Sequence, residues 1–310
     1  MFISPYEKVS IEGSRCLKAN FHVHAWPLGS GHKDDVAGMV SLYKEAGYDA
    51  LMIAGQGSFS DTSLVGKEFG IMTINGIEYV ERDGILCVGI NSFITGSPQQ
   101  AIDDCAAQGG FTILCHPNWL SEEGLPPALT KEEMRLLIGY TGIEILTPAI
   151  FNRLLGSGLA TDFWDELLTQ GKLVWGFAGD DAHTFFDVDR GWNVLYSSGS
   201  KYDDLKEAII RGSFYASSGL WLKAFSFEND RISLEANSRL TNSNKIHYRF
   251  IGEGGKILYE CINRKAEYQL KPSDQYVRVE AVSENGAMLW TQPIYNNEML
   301  NTTYECIIKG

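Results

Sequence analysis

His22 and His24 flank a single valine in the stretch Asn20-Phe21-His22-Val23-His24. Side chains alternate along a β-strand, so both imidazoles would point to one face, while Phe21 and Val23, types that strands favour, would face the packed side. A lone His-x-His is equally compatible with two histidines at a strand end that bind nothing. Further donors recur down the chain, however, at Glu78, His116, Asp181 and His183, so that four of the six histidines belong to the set. Neutral imidazoles and carboxylates are ligands for Zn, Mn or Fe, and one carboxylate can bridge two ions. An ion held this way lowers the pKa of its water and supplies a nucleophile near neutral pH.

The elements that must position these groups follow from hydrophobic periodicity. The first strand spans 17–24, and a loop rich in Gly and Pro leads to Asp34-Asp35, two acids suited to a helix N-terminus. The helix runs to about Ala46, with Val36, Met39, Val40 and Tyr43 on one face and Gly47 as its stop. Strands are expected at 48–54, 71–79 and 85–91, the last two joined by a turn at Asp83-Gly84. A helix over 98–108, a strand over 111–116, a helix over 130–138 and a strand over 142–146 follow. The pattern closes with a helix over 161–169 capped by Thr161, strands over 173–178 and 192–196, and a helix over 202–211. Strands recurring with helices between them imply parallel pairing, hence a barrel or an open α/β sheet, in which sites collect at the C-terminal strand ends. His22 and His24 end the first of these strands, Glu78 the third and His116 the fifth, and Asp181 and His183 follow the seventh.

Composition bounds the rest. A chain of 310 residues, 44% hydrophobic and 21% charged, can bury a full core and has room for more than one domain. The formal net charge of −13 argues against an extended nucleic-acid surface, which needs clustered Lys and Arg, and leaves a small molecule as the expected partner. No leader-like or membrane-spanning stretch is evident, so the expected location is cytoplasmic. The oligomeric state is not legible. Cys16, Cys87, Cys105, Cys115, Cys261 and Cys306 form no CxxC pair, and free buried thiols are the simplest reading. Cys115, adjacent to His116 on a strand, is expected to point away from it into packing.

The stretches NFHVH (20–24), GIEY (76–79), CHPNW (115–119) and GDDAH (179–183) together resemble the PHP (polymerase and histidinol phosphatase) domain family, in order and in spacing. GSFYASSG (212–219) resembles the segment that closes this domain in a bacterial branch with a C-terminal β domain. The resemblance covers roughly residues 15–220. It implies an α/β fold, a distorted (β/α)7 TIM-like barrel of PHP type, with a metal cluster at the strand C-termini and metal-dependent phosphoester hydrolysis as the commonest activity.

Departures from that family narrow the expectation. Where it reads Thr-Asp-His after the second strand, this chain has Ala54-Gly55-Gln56, and the histidine often found after the glutamate is replaced by the neighbourhood Arg82-Asp83-Gly84. The resemblance therefore implies a reduced centre of one or two divalent ions (Zn, Mn or Fe) held by His22, His24, Glu78, His116, Asp181 and His183. Glu78 would be the bridging carboxylate, and Asp181 a ligand that also orients water. Gln56 could hydrogen-bond a ligand or water, and Asp180 could hold a histidine tautomer or be a loop carboxylate. Arg153 and Arg190 are candidates for a cationic clamp on phosphate, set against ordinary surface roles. His32, in a Gly-rich loop, and His247 read as solvated and structural, and Trp119, Trp164, Trp175 and Trp192 read as core.

Beyond Gly219 the texture changes to short alternating runs, at 222–227, 232–236, 245–251, 256–261, 276–282 and 287–291, separated by turns. The expected organisation is a PHP-like barrel over 1–219 and a small all-β, sandwich-like domain over 220–310 that packs on the barrel. Three functions fit the residues: a metal-dependent phosphoesterase acting on a small phosphorylated substrate, a hydrolase of a non-phosphate ester or amide, and a degenerate barrel that binds metal or ligand without turnover.

Overall fold

The structure is a computed structural model that describes residues 1–7, 15–25, 33–56, 59, 61–79, 81–120, 128–153, 155–238 and 245–300, with the side chains of 33–35, 56, 152, 153 and 155 excepted. It divides into two compact units. One comprises Leu17–Ala160 with Phe177–Trp192; the other comprises Met1–Cys16, Thr161–Gly176 and Asn193–Gly310. Residues 161–176 and 193–219 are thus grouped with the C-terminal strands rather than with the metal-ligand candidates.

The first unit is built on seven strands: β1 (Arg15–Val23), β2 (Ala50–Gln56), β3 (Met72–Glu78), β4 (Ile85–Val88), β5 (Phe111–Leu114), β6 (Gly142–Leu146) and β7 (Trp175–Ala178). Their order in the sheet is their order in the chain. β1–β2, β2–β3 and β5–β6 pair in parallel, whereas β4 runs antiparallel to both neighbours because the turn at Asp83-Gly84 folds it back as a hairpin. The helices are α1 (Lys33–Glu45), α2 (Ser63–Phe69), α3 (Pro98–Ala107), α4 (Lys131–Leu136) and the short α5 (Ala149–Arg153). Val36, Met39, Val40 and Tyr43 of α1 are all buried, as their spacing predicts. Ser97 and Thr130 cap α3 and α4, each in a capping box with Gln100 or Glu133 three residues on.

The sheet does not close into the expected barrel. No ladder joins β7 to β1 among the described residues; instead the segment after β7 crosses to the end of β1 through a bridge between Val23 and Ala182. Asp181 N donates to His22 O and His24 N to Ala182 O, both at 2.9 Å. The core beneath this end holds Phe21 edge-on to Phe111 and Phe177.

In the second unit lie α6 (Thr161–Thr169), α7 (Tyr202–Ile210), the short strand Phe2–Ile3, paired antiparallel with Tyr295–Asn296, and ten further strands, β8 (Trp192–Ser197), β9 (Phe214–Ser217), β10 (Leu220–Glu228), β11 (Arg231–Ser238), β12 (Ile246–Gly252), β13 (Lys256–Asn263), β14 (Lys265–Gln269), β15 (Tyr276–Ser283), β16 (Met288–Thr291) and β17 (Ile294–Asn296). All six runs expected past Gly219 are strands, and β14 and β17 are additional. β10, β11 and β14 form an antiparallel sheet. The others belong to a larger one in which β15 pairs with β12, β16 and β17, and β9 pairs with β16. A buried ion pair ties α6 to β15. Asp165 receives Arg278 Nε at 2.7 Å and Nη2 at 2.6 Å, with Tyr276 OH at 3.0 Å. No helix among the described residues is long and apolar enough to cross a membrane.

Candidate metal centre

The C-terminal ends of β1, β3, β5 and β7 bring His22, His24, Glu78, His116, Asp181 and His183 to one place. All but His183 are buried. His22 and His24 lie on one face, as the strand alternation predicts, and the Nε2 atom of each stands 3.3 Å from Asp181 Oδ1. Glu78 lies between the histidines with its two oxygens divided: Oε1 is 3.1 Å from His116 Nε2 and 3.6 Å from His22 Nε2, while Oε2 is 3.2 Å from His24 Nε2. His183 reaches the group from its edge, with Nδ1 2.9 Å from the Asp181 carbonyl and 3.4 Å from Asp181 Oδ1.

Two of these residues have backbones in the left-handed region, His116 with φ 32° and Asp181 with φ 50°. That conformation is unfavourable for residues with a Cβ and recurs at functional sites. β5 ends at Leu114, so strand alternation does not govern Cys115 and His116, which lie beyond it. The expectation that Cys115 points away is corrected: its Sγ lies 3.7 Å from Glu78 Oε1, within the cluster.

The outer nitrogens fix the tautomers. His24 Nδ1 is 3.0 Å from the Ala54 carbonyl, which can only accept, so Nδ1 carries the proton. His22 Nδ1 is 2.9 Å from Glu144 Oε1 and donates to it. In the neutral rings the Nε2 lone pairs are then directed inward. Both Nε2 atoms are buried without a hydrogen bond, an arrangement that costs free energy unless another partner is supplied. Two sets of donor atoms lie within 4.8 Å of one another, one from His22, Glu78, Cys115 and His116, the other from His22, His24 and Asp181. The donors present therefore fit a divalent ion.

Electrostatics agrees. Burial alone would lower the pKa of His24 and His116, but the carboxylates of Glu78, Asp181 and Asp83 outweigh it and hold each at about 9. Burial likewise opposes ionisation of Glu78 and Asp181, yet the surrounding histidines hold both below the usual carboxylate range. Without an ion the cluster stores protons on its imidazoles and negative charge on its carboxylates.

Two acidic residues that the sequence reading passed over complete the site. Glu144, buried in the middle of β6, accepts from His22 Nδ1 with Oε1, and with Oε2 from the His116 backbone N at 3.1 Å and Thr147 Oγ1 at 2.8 Å. Gly179 makes room for it, since a Cβ there would lie 2.0 Å from Glu144 Oε1. A carboxylate inside the otherwise apolar run GIEIL was the available signal, because a buried charge needs partners. Asp83, in the β3–β4 turn, places Oδ1 3.5 Å from His116 Nε2, buried and without a hydrogen bond. Burial and Glu78 push its carboxyl up to about 8.

The remaining candidates stand elsewhere. Asp180 holds no histidine. Its carboxylate accepts from Tyr43 OH at 2.7 Å and from the backbone N of Asp189, Arg190 and Gly191 at 3.0, 2.9 and 2.7 Å. Asp180 thereby pins the loop at 189–191 to α1. Arg190 is exposed and donates from Nε to the Phe186 carbonyl. The side chains of Gln56 and Arg153, and the whole of His32, lie outside the described residues. Trp119 packs edge-on to His116 at 5.2 Å between ring centres, while His247, in the other unit, pairs with Glu260 at 2.9 Å.

No family model and no curated protein matches the chain. Among solved structures, the chain is similar in fold to a two-domain protein from Bacteroides vulgatus containing a predicted PHP-like metal-dependent phosphoesterase. The match has a TM-score of 0.51 and 14% sequence identity, and covers 91% of this chain and 96% of that one.

Proposed function

We propose that the protein is a metal-dependent hydrolase, most simply a phosphoesterase acting on a small phosphorylated substrate. The observation that carries this reading is the pair of buried Nε2 atoms of His22 and His24, which make no hydrogen bond and face the Glu78 and Asp181 carboxylates at 3.2–3.6 Å around a common centre. The likeness to a two-domain structure containing a predicted PHP-like metal-dependent phosphoesterase supports it. In this reading His22, His24, Glu78, His116, Asp181 and His183 hold one or two divalent ions, Zn, Mn or Fe. A bound ion would polarise the scissile group and acidify water. The chain's own contribution is positional. Glu144 and the Ala54 carbonyl keep the His22 and His24 protons on Nδ1, which leaves Nε2 free to ligate. Glu78 presents one oxygen to each side of the cluster, the disposition a bridging carboxylate needs.

A hydrolase of a non-phosphate ester or amide is the second reading. It draws on Phe185 and Phe186, which follow His183, lie tilted with ring centres 4.0 Å apart and are 64% and 68% exposed. Arg190 is engaged with Phe186 instead of the cluster. The deciding experiment measures metal content after purification without chelator, then turnover of phosphomonoesters, phosphodiesters and aryl esters with His116→Ala as the control. Metal-dependent phosphoester hydrolysis that disappears in His116→Ala is expected. Hydrolysis of aryl esters alone would favour the second reading, and an absence of metal uptake would overturn both.

A further inference from the structure

The geometry points to Cys115 as a metal ligand: His22 Nε2, Glu78 Oε1, His116 Nε2 and the Cys115 sulfur form one four-donor subsite for an ion of the zinc class. The inference rests on the metal-site reading above and goes beyond it in donor set and metal preference. The four donor atoms lie within 4.8 Å of one another and all four residues are buried. Tetrahedral ligands at Zn–N of about 2.0 Å and Zn–S of about 2.3 Å stand roughly 3.5 Å apart, so only small side-chain shifts are needed. The backbone holds the thiol in place from both sides. Cys115 N donates to the Gly84 carbonyl at 3.0 Å, and the His116 N–H is held by Glu144 at 3.1 Å.

The two oxygens of Glu78 separate this subsite from its neighbour. Oε1 faces Cys115, His116 and His22, and Oε2 faces His24. One Nε2 lone pair serves one ion, so with His22 committed to the sulfur-containing side, His24, Asp181 and His183 are left with Oε2 as the oxygen-richer, open side. A thiolate selects the softer ions, Zn or Fe, over Mn or Mg. On loading, the Cys115 S–H bond ionises, its proton passes to solvent, and the sulfur lone pair forms the bond to the ion; nothing is oxidised or reduced.

The test strips the full-length protein with chelator and reloads it with Co(II), alongside Cys115→Ser. The wild type is expected to show a near-ultraviolet thiolate-to-cobalt charge-transfer band that Cys115→Ser lacks while still binding cobalt. X-ray absorption at the zinc edge of the unmodified protein provides a measurement independent of the variant's folding, with a sulfur neighbour expected at about 2.3 Å. Stoichiometric metal with a nitrogen- and oxygen-only shell, or an unchanged band in Cys115→Ser, would overturn the role of Cys115 and leave the metal-site reading standing. Failure to bind any metal would overturn both, and metal content distinguishes the two failures.

Discussion

Glu144 Oε1 lies 2.9 Å from His22 Nδ1, and the other oxygen of the same carboxylate holds the His116 backbone N–H and the Thr147 hydroxyl. One side chain from the middle of β6 therefore orients candidate ligands at the ends of two other strands. Removing an outer partner of a ligating histidine typically costs 10–100-fold in metal affinity. Glu144→Gln is expected to lose about that much, because an amide meets three donors with only one oxygen. Glu144→Ala should also destabilise the fold, at about 1–3 kcal/mol for each buried donor left unpaired. Competition against a metal-binding dye and urea unfolding read the two effects separately. Wild-type affinity in both variants would remove Glu144 from the site.

Gly179 is expected to admit no side chain. A Cβ there would lie 2.0 Å from Glu144 Oε1 and 2.8 Å from the His22 Cβ. Gly179→Ala should cost about 1–3 kcal/mol as an overpacking change and reduce metal affinity through the displaced glutamate. Gly38→Ala in α1, where a Cβ meets nothing within 4 Å, is the control and should stabilise by about 0.5–1 kcal/mol. Equal melting temperatures for the two variants would contradict this account.

Much of the cluster was legible in the sequence because it depends on strand alternation and strand ends, which periodicity reveals. His22, His24, Glu78, His116, Asp181 and His183 all follow from it. What periodicity cannot show is a backbone that leaves its period. Cys115 lies past the end of β5 at Leu114 and faces the cluster, and Asp180 turns to Tyr43 and the backbone of 189–191. Glu144 was hidden for a different reason, since its neighbours in β6 are apolar and its role depends on pairing with residues 122 and 28 positions away. Periodicity left a barrel and an open sheet both possible; the family resemblance implied the barrel, and the sheet is open. The Asp83-Gly84 hairpin was readable, but whether seven strands close depends on stagger between chain-distant strands.

The buried pair of Asp165 and Arg278 is expected to control stability without affecting the metal. Arg278 donates two hydrogen bonds to Asp165 and lies 5.0 Å from the Trp164 ring. Asp165→Ala strands the guanidinium and should cost about 3–5 kcal/mol, whereas exchanging both residues for apolar ones of similar volume should recover most of it. Urea unfolding measures the cost, and dye competition on the folded variant should give wild-type metal affinity. A loss below about 1 kcal/mol would show the pair to be as weak as an exposed one.

Metal removal should make stability depend on pH in a stated direction. In the metal-free protein His24 and His116 are held at about 9, above the ordinary 6.5. Their protonated forms are favoured by folding, so this contribution is fully present below about pH 6.5 and is lost as pH rises to about 9. Asp83, raised to about 8, acts with the same sign, because the folded state prefers its neutral form and loses that preference as pH rises. The facing carboxylates of Glu78 and Asp181 remain ionised across this window and do not reverse the trend. Chelated protein should therefore lose on the order of 3 kcal/mol between pH 6.5 and 9, since the two histidines share Glu78 and their contributions do not add. In metal-loaded protein the ion replaces the protons and the slope should largely vanish. Metal uptake at pH 7 should release protons, and the histidines' share of that release falls away above pH 9. Calorimetric titration in buffers of different ionisation enthalpy measures it, and a chelated protein more stable at pH 9 than at pH 6.5 would contradict the assignment of those protons to the histidines.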